Sequence, residues 1–372
     1  MSDEPADAPP ATETETETEP APGGVGRVWS RWQQYRGGEL PPILFAAVGI
    51  LVFPWIFRTF LDGYTQLATL MLIWGIFAIG FDILLGYTGL LSFGHAAFWG
   101  GAAYAAGIFS AEVSGQPLLV IVAGTTFAVL LAWVLGFISL RRGGIYFAIL
   151  TLTFGQMMFY LAASPLAFLT NGENGFTSVE VEPLLGVIEL HSSISGPLAV
   201  LVDNWLYLFV GAVTVLAIAA ANRILNSPYG VVFRAIRENE RRAEFVGLNV
   251  WRYKLMAFII SAAFAGVAGS LFAIEGRYVP LESLYWIESG DIVIMTVLGG
   301  VGSLYGPLFG AGLFLYIENI VSGMPNLGAF WLLILGVVFV VVVSLFPRGI
   351  WGLITDLRAF VAERVRERGE EL

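Results

Sequence analysis

The sequence predicts an all-α membrane protein with about ten transmembrane helices, and three observations support this fold class. Hydrophobic residues make up 57% of the 372 residues and charged residues only 13%, with a mean hydropathy of +0.76. Apolar stretches long enough to cross a bilayer recur along the chain. Arginines cluster between these stretches on one predicted side of the membrane. A soluble fold could not bury so much apolar surface, so we expect a multi-pass protein of the cell membrane.

The apolar stretches predict the helices one by one. A helix needs roughly twenty apolar residues to cross a hydrocarbon core about 30 Å thick. The third, eighth and ninth stretches are short and rich in glycine, which is typical of broken or re-entrant helices, so we expect eight to ten spans. In chain order the stretches are 41–58, 66–85, 96–112, 117–139, 144–162, 204–222, 253–274, 285–300, 304–320 and 328–347.

The arginine distribution predicts that both chain termini are cytoplasmic, because basic residues concentrate on that side of membrane proteins. With ten crossings every basic cluster falls there: Arg27, Arg31 and Arg36, then Arg141 and Arg142, the segment 223–254 and the C-terminal arginines. The loop 163–203 has no lysine or arginine. Its charged residues include Glu173, Glu180, Glu182 and Glu189. We therefore expect this loop on the external side.

Three regions follow along the chain. Residues 1–40 are expected to form a disordered acidic cytoplasmic tail with a pre-membrane segment, because the first twenty residues contain seven acidic residues and no basic one. This start lacks the basic and apolar parts of a signal peptide. Residues 41–350 form the predicted membrane domain, and residues 351–372 form a charged cytoplasmic tail.

The basic residues also bear on the source of the protein. Lys254 is the one lysine among nineteen basic residues. Few lysines beside many acidic residues favour a halophilic archaeon, in which surface carboxylates keep proteins hydrated. An acidic tail encoded in a GC-rich genome is the alternative explanation.

The composition argues against an enzyme. The chain has no cysteine, and its two histidines are His95 and His191, so thiol nucleophiles, disulfides and cysteine-ligated metals are excluded. No phosphate-binding loop or catalytic base constellation is present in the sequence. We therefore expect no catalytic residue, metal or cofactor, and no nucleic-acid partner.

One internal segment, Ser227 to Gly247, breaks the apolar pattern. Ser227 and Pro228 suit the start of a helix, and Gly247 can end it in a left-handed conformation. The spacing predicts a helix over 228–246. Its apolar face carries Val232, Ala235 and Ile236, and charges lie elsewhere around it. Such a charged helix between two spans favours docking on a soluble partner, and a plain connecting loop is the alternative.

This segment resembles the cytoplasmic coupling motif of the LivM-type branched-chain amino acid permeases of ABC importers. The resemblance extends over about 41–350 and includes Gly86-Tyr-Thr-Gly-Leu-Leu-Ser-Phe-Gly-His-Ala-Ala-Phe98 and Leu298-Gly-Gly-Val-Gly-Ser-Leu-Tyr-Gly-Pro307. Further blocks occur in the same order at 142–156, 171–176 and 252–258. The two glycine blocks also resemble each other faintly, which hints at an internal duplication.

The resemblance implies a permease subunit that translocates branched-chain amino acids delivered by an external solute-binding protein. It also implies a second homologous permease and two ABC ATPase subunits, which would hydrolyse the ATP. The general importer motif of Glu-Ala-Ala, three residues and Gly reads here as Arg241-Arg242-Ala243 followed by Gly247. By this resemblance the candidate ATPase-coupling residues are Arg234, Arg237, Glu238, Glu240, Arg241, Arg242, Ala243 and Gly247.

Polar residues within the spans are candidates for the translocation path, because buried charges usually face a bundle interior or a water-filled cavity. These residues are Asp82, Ser92, His95, Thr151, Gln156 and Glu318. Asp82 occupies a position where relatives usually carry asparagine. Packing of the glycine block around Ser92 and His95 is the alternative for those two residues.

Two other functions stay open at this point. The cargo of a permease from the same family could be urea or a short amide. A secondary transporter or channel that needs no ATPase is the alternative from another class. The segment 227–247 favours the ATP-driven machine, because a free-standing carrier has no need of a capped, charged helix there.

Overall fold

A computed structural model describes residues 43–44, 46–59, 64–141, 143–324, 328–346, 348–353 and 355. Within these ranges the secondary structure is helical, apart from turns and three isolated β-bridges. The predicted tail 1–40 and most of the segment 351–372 lie outside the described residues. The all-α fold class is therefore confirmed for the part of the chain that the structure describes.

Thirteen α-helices occur in the described ranges before residue 346, and ten of them fall on the ten predicted stretches. Three others are short and lie between spans. In chain order the helices are α1 (Ala46–Thr59), α2 (Thr65–Thr88), α3 (His95–Glu112), α4 (Pro117–Ser139), α5 (Ile145–Ala163), α6 (Ala167–Thr170), α7 (Trp205–Leu225), α8 (Pro228–Glu238), α9 (Glu240–Phe245), α10 (Val250–Gly276), α11 (Trp286–Gly299), α12 (Gly306–Ser322) and α13 (Trp331–Leu345).

Five of the described helices, α2, α4, α5, α7 and α10, are long and apolar enough to cross a bilayer unaided. The glycine-rich helices are shorter: α3 has 18 residues, α11 has 14 and α12 has 17. At 1.5 Å per residue α11 is about 21 Å long, less than the hydrocarbon core. The number of complete crossings and the side on which the termini lie stay predictions.

α3 begins inside the helix bundle, next to the first turn of α11. His95, the first residue of α3, lies with its Nε2 2.8 Å from the Oγ of Ser261, which is near the middle of α10. The amide of Ala96 donates to the Oγ of Ser289 in the first turn of α11 at 2.8 Å. The start of α3 is therefore held between α10 and α11, and membrane re-entry of the glycine-rich segments stays a prediction.

α2 and α10 form the centre of the bundle. The most apolar window of α2 is 89% buried and that of α10 is 72% buried, whereas the corresponding windows of α4, α5 and α7 are 28–33% buried. α2 packs against α7, α10 and α12, and α10 packs against α3 and α4. Large apolar side chains remain exposed on α4, including Val122, Leu130 and Trp133. Such surfaces suit contact with lipid.

The acidic loop and the charged segment lie at opposite ends of α2. At the start of this helix, the Oγ1 of Thr65 donates to the Oδ1 of Asp203 at 2.6 Å. Asp203 also pairs with Arg58 at 3.1 Å. At the other end, Arg237 of α8 donates to the carbonyl of Gly86. With 24 residues α2 is about 36 Å long, enough to separate these two sites by a membrane.

Candidate functional site

The charged segment 227–247 forms two helices, α8 and α9, so the continuous helix predicted over 228–246 is corrected. α8 begins at Pro228 as expected, but the Oγ of Ser227 donates to the carbonyl of Ile224 at 2.6 Å and does not cap α8. Asn239 ends α8 with an extended backbone, φ −161° and ψ 101°. Its side-chain oxygen accepts from the amide of Arg242 at 2.9 Å and caps α9. Asparagine favours such a cap over a helix interior.

Phe233 anchors α8 to the bundle. Its side chain is fully buried, and Gly230 and Ile236 on the same face are also buried. This face packs against α2, α7 and α10. Of the predicted apolar face only Ile236 is buried, whereas Val232 and Ala235 are partly exposed. The sequence did contain a signal that Phe233 is buried: Gly230, Phe233 and Ile236 follow one another at intervals of three residues.

Arg234 of α8 binds to its own chain. Its Nη2 donates to the carbonyl of Leu225 at 2.7 Å and its Nε donates to the carbonyl of Gly230 at 3.1 Å. The guanidinium also lies 5.8 Å from the centre of the Tyr87 ring. Arg234 thus closes the turn between α7 and α8 and contacts the end of α2.

α9 is held at its base by two contacts with α10. The Nζ of Lys254 pairs with the Oε1 of Glu240. Ala243 is buried and packs with Ile236 and Val250. Gly247, which follows α9, has the left-handed φ of +87° that was predicted for it. Two of the candidate coupling residues, Glu240 and Ala243, therefore orient α9.

The rest of the segment presents an exposed surface, which we name the α9 surface. It contains two large apolar side chains: Phe245 is 89% exposed and Val246 is 73% exposed. Charged residues surround them. The members of the α9 surface are Glu238, Arg241, Arg242, Glu244, Phe245 and Val246. Exposed apolar residues with a charged rim are typical of a protein-interaction site.

Asp82 lies at the point where the two glycine blocks meet. Its carboxylate is 2% exposed and accepts from the amide of Gly302, at 2.8 Å to Oδ1 and 3.1 Å to Oδ2. Gly302 has a φ of +82°, which favours glycine. A Cβ at Gly86 would collide with both Asp82 and Gly302. Asp82 therefore joins α2 to the turn between α11 and α12.

Three other predicted path residues lie deep in the bundle. His95 is fully buried among Phe81, Phe98 and Phe258. Ser92 is also fully buried, and the Oγ1 of Thr151 accepts from the amide of Phe93 at 3.2 Å and donates to the carbonyl of Ala148 at 2.9 Å. These contacts hold the re-entrant chain before α3 against α5 and α10.

The remaining predicted path residues, Gln156 and Glu318, lie on partly exposed faces of α5 and α12. Glu318 is close enough to Glu288 and Asp291 of α11 to interact with them electrostatically. These three carboxylates, which we name the acidic surface, are each partly exposed. The sequence reasoning missed Glu288 as a site residue. Its spacing of three residues from Asp291 was the available signal.

The structure thus separates the predicted residues, apart from Gln156 on α5, into three places. The coupling candidates lie together at the end of α2 that Gly86 marks, and Asp82 joins them there. Ser92, His95 and Thr151 lie inside the bundle. Glu318 belongs to the acidic surface. No group of histidine and acidic side chains in the described residues has the arrangement of a metal site.

Comparison with known proteins gives one family for most of the chain. Residues 63–343 match the family described as branched-chain amino acid transport system / permease component. The chain is 32% identical over 301 residues to the high-affinity branched-chain amino acid transport system permease protein LivM of Salmonella typhimurium, which covers 77% of this chain and 70% of the relative. LivM of Escherichia coli is 30% identical over 321 residues, or 83% of this chain and 74% of the relative.

Proposed function

This chain belongs to the branched-chain amino acid transport permease family, and from this premise we propose that it is the membrane-spanning subunit of an ATP-binding cassette importer. It is a multi-pass membrane protein and a transport subunit, not an enzyme. Its proposed cargo is a branched-chain amino acid, the class of solute named for its relatives.

One observation carries the ATP-driven mechanism: a helix pair at the end of a central membrane helix, whose second helix is capped by Asn239 and exposed. α8 is anchored by Phe233 and by Arg237, while α9 presents Phe245 and Val246 to solvent. A short helix with exposed apolar residues fits a groove on a soluble partner. We propose that the partner is an ABC ATPase subunit, and that two such subunits bind two homologous permeases.

The opposite end of α2 is the proposed docking side for an external solute-binding protein. The loop that follows α5 carries exposed Glu173, Glu180 and Glu182. Asp203, at the end of this loop, binds Thr65 and Arg58 near the start of α2. Substrate would enter from this side, and the α9 surface would receive the force of ATP binding on the other.

The acidic surface of Glu288, Asp291 and Glu318 is the proposed lining of the translocation path. Carboxylates on membrane helices are costly to expose to lipid, so they face water or another protein. All three are partly exposed in the single chain, which fits a path formed together with a second permease. Carboxylates attract the ammonium group that every amino acid carries.

Reconstitution tests the proposed function directly. The chain is combined in liposomes with its candidate sister permease, ATPase subunits and binding protein, and uptake of labelled leucine is measured. We expect uptake only with ATP on the ATPase side and binding protein on the other. Uptake of urea in place of leucine would favour the short-amide alternative, and uptake without ATP would favour a secondary transporter or channel.

The acidic surface gives a second test in the same liposomes. We expect Glu288→Gln to lower leucine uptake about tenfold, because a charged hydrogen-bond partner of the ammonium group is lost. Glu112→Gln, at an exposed position at the end of α3, is the matched control and should transport normally. Equal uptake by Glu288→Gln and wild type would contradict a path on this surface, and a loss for uncharged urea would show that ammonium recognition is not its role.

We also infer a halophilic archaeal source. Lys254 is the single lysine of the chain, and it is used in the ion pair with Glu240. The remaining basic residues are arginines, and acidic residues outnumber basic ones by 29 to 19.

A further inference from the structure

We propose that Asp82 and Arg237 are positioning residues which pass the movement of α8 to the α11–α12 pair, so that ATP-driven motion reaches the acidic surface. This proposal rests on the ATP-binding cassette function proposed above. It assigns Arg237 a different task from Arg241 in the same segment: Arg237 transmits movement within the chain, whereas Arg241 lies on the surface that meets the partner.

The first connection joins α2 to the turn between α11 and α12. Asp82 is buried in an otherwise apolar part of α2, and the amide of Gly302 donates to both of its carboxylate oxygens, at 2.8 and 3.1 Å. A buried carboxylate is strongly unfavourable without such a donor. The amide of Gly302 likewise has this carboxylate as its acceptor. Separating α2 from the turn would therefore leave two polar groups unsatisfied at once.

The second connection joins α8 to the same place. Nη1 of Arg237 donates to the carbonyl of Gly86, one helical turn after Asp82. Gly86 lies in the last turn of α2, where carbonyls lack partners within the helix and carry the negative end of its dipole. Its neighbours Leu84 and Leu85 accept from the amides that follow α2, and the Gly86 carbonyl accepts from a cation instead.

The guanidinium of Arg237 lies between the two glycine blocks. A Cβ placed on Gly302 would come within 3.1 Å of Nη1 of Arg237, and a Cβ on Gly89 would come within 3.3 Å of its Cγ. Both glycines have positive φ, +82° and +77°. The close approach of Arg237 to both blocks therefore depends on glycine at these positions. We therefore expect movement of α8 to be passed through the Arg237 side chain to the end of α2 and the 300–305 turn.

The turn between α11 and α12 connects the contacts of Asp82 and Arg237, which we name the joint, to the proposed path. α11 carries Glu288 and Asp291 and ends at Gly299, and α12 begins at Gly306 and carries Glu318. A helix is stiff over such lengths, so displacement of the turn is passed along α11 and α12 to the acidic surface. The C-terminal segment supports the turn, because Trp351 packs on Tyr305 and Phe309 with ring centres 5.2 and 5.4 Å apart.

The test uses the complete reconstituted complex and measures leucine transported per ATP hydrolysed. In Arg237→Ala and Asp82→Ala we expect the ATPase subunits to copurify and hydrolyse ATP, while leucine moved per ATP falls about tenfold. Asp82→Asn should restore coupling, because its Oδ1 still accepts from Gly302. The double variant Asp82→Ala/Arg237→Ala should be no worse than either single variant, because both changes open the same joint.

Arg241→Ala is the matched control within the segment. It should lower copurification of the ATPase subunits, with the ratio of leucine to ATP unchanged in the complexes that still form. If Asp82→Ala fails to insert in the membrane, the leucine-to-ATP ratio of Arg237→Gln tests the proposal instead. Arg237 is exposed, so this substitution leaves the packing of the core unchanged. The proposal would be overturned if the wild-type complex couples normally and the Arg237 variants transport as much leucine per ATP as the wild type. A wild-type complex without ATP-dependent uptake would overturn the proposed function instead.

Discussion

Tryptophan at position 247 is expected to abolish substrate-linked ATP hydrolysis while the protein still inserts in the membrane. Gly247 has a φ of +87°, which non-glycine residues adopt at a cost of about 1–2 kcal/mol. Apart from the adjoining residues, no described atom lies within 4 Å of a Cβ at this position, so a side chain has room to leave the backbone here. The indole would instead project beside Phe245 and Val246 and obstruct the proposed docking surface.

A matched control exists at the other end of the molecule. Gly186 has a φ of +74° and equally open surroundings, but it lies in the acidic loop between α5 and α7. Gly186→Trp therefore introduces similar backbone strain away from the α9 surface, and copurification with the ATPase subunits should persist. Wild-type stimulation in Gly247→Trp would count against ATPase docking at α9, and equal loss of ATPase copurification in both variants would point to strain as the cause.

Phe233→Ala is expected to lower the free energy of unfolding by about 3–5 kcal/mol, the usual effect of removing a buried phenylalanine side chain. Phe233 is fully buried where α8 packs on α2, α7 and α10. Thermal unfolding in detergent measures the loss. Hydrogen exchange of residues 228–247 should rise sharply, because α8 loses its largest apolar anchor.

Phe245→Ala is the control for this substitution, because it removes the same side chain from an exposed site. Phe245 is 89% exposed, so its stability should change little while affinity for the ATPase subunits falls. Comparing the two variants thus distinguishes the anchoring of α8 to the bundle from the docking of the ATPase subunits. Similar unfolding temperatures for the two variants would mean that Phe233 does not anchor α8.

Several local features were predictable from the sequence because their causes are local. Apolar stretches of sufficient length gave all ten helix positions in the described residues. Pro228 lies at the first position of α8, and Gly247 has its predicted left-handed conformation, because proline and glycine restrict or free their own backbone dihedrals. The stretches at α3, α11 and α12 were predicted to be short, and these helices have 18, 14 and 17 residues.

Other features depended on which of two possible local structures, or which of two helix faces, the surrounding helices favour. Sequence periodicity does not distinguish these alternatives. Asn239 is compatible with a helix in a charged segment, yet its side chain caps α9 and interrupts the predicted helix. Phe233 took the buried place expected for Val232 and Ala235, because three neighbouring helices contact that side of α8. The helical repeat gives the possible faces, and the neighbouring helices decide which one is buried.

The sequence by itself determined that this chain is a helical membrane protein, since bilayer thickness and residue hydropathy act on each stretch separately. Its similarity to known permeases showed the transporter family. Only the tertiary structure decided that Asp82 meets Gly302, 220 positions along the chain, and that Arg237 reaches the end of α2. The physical reason is that a polar group within a bundle takes whichever partner the packing brings within about 3 Å, and separation along the chain does not encode that partner.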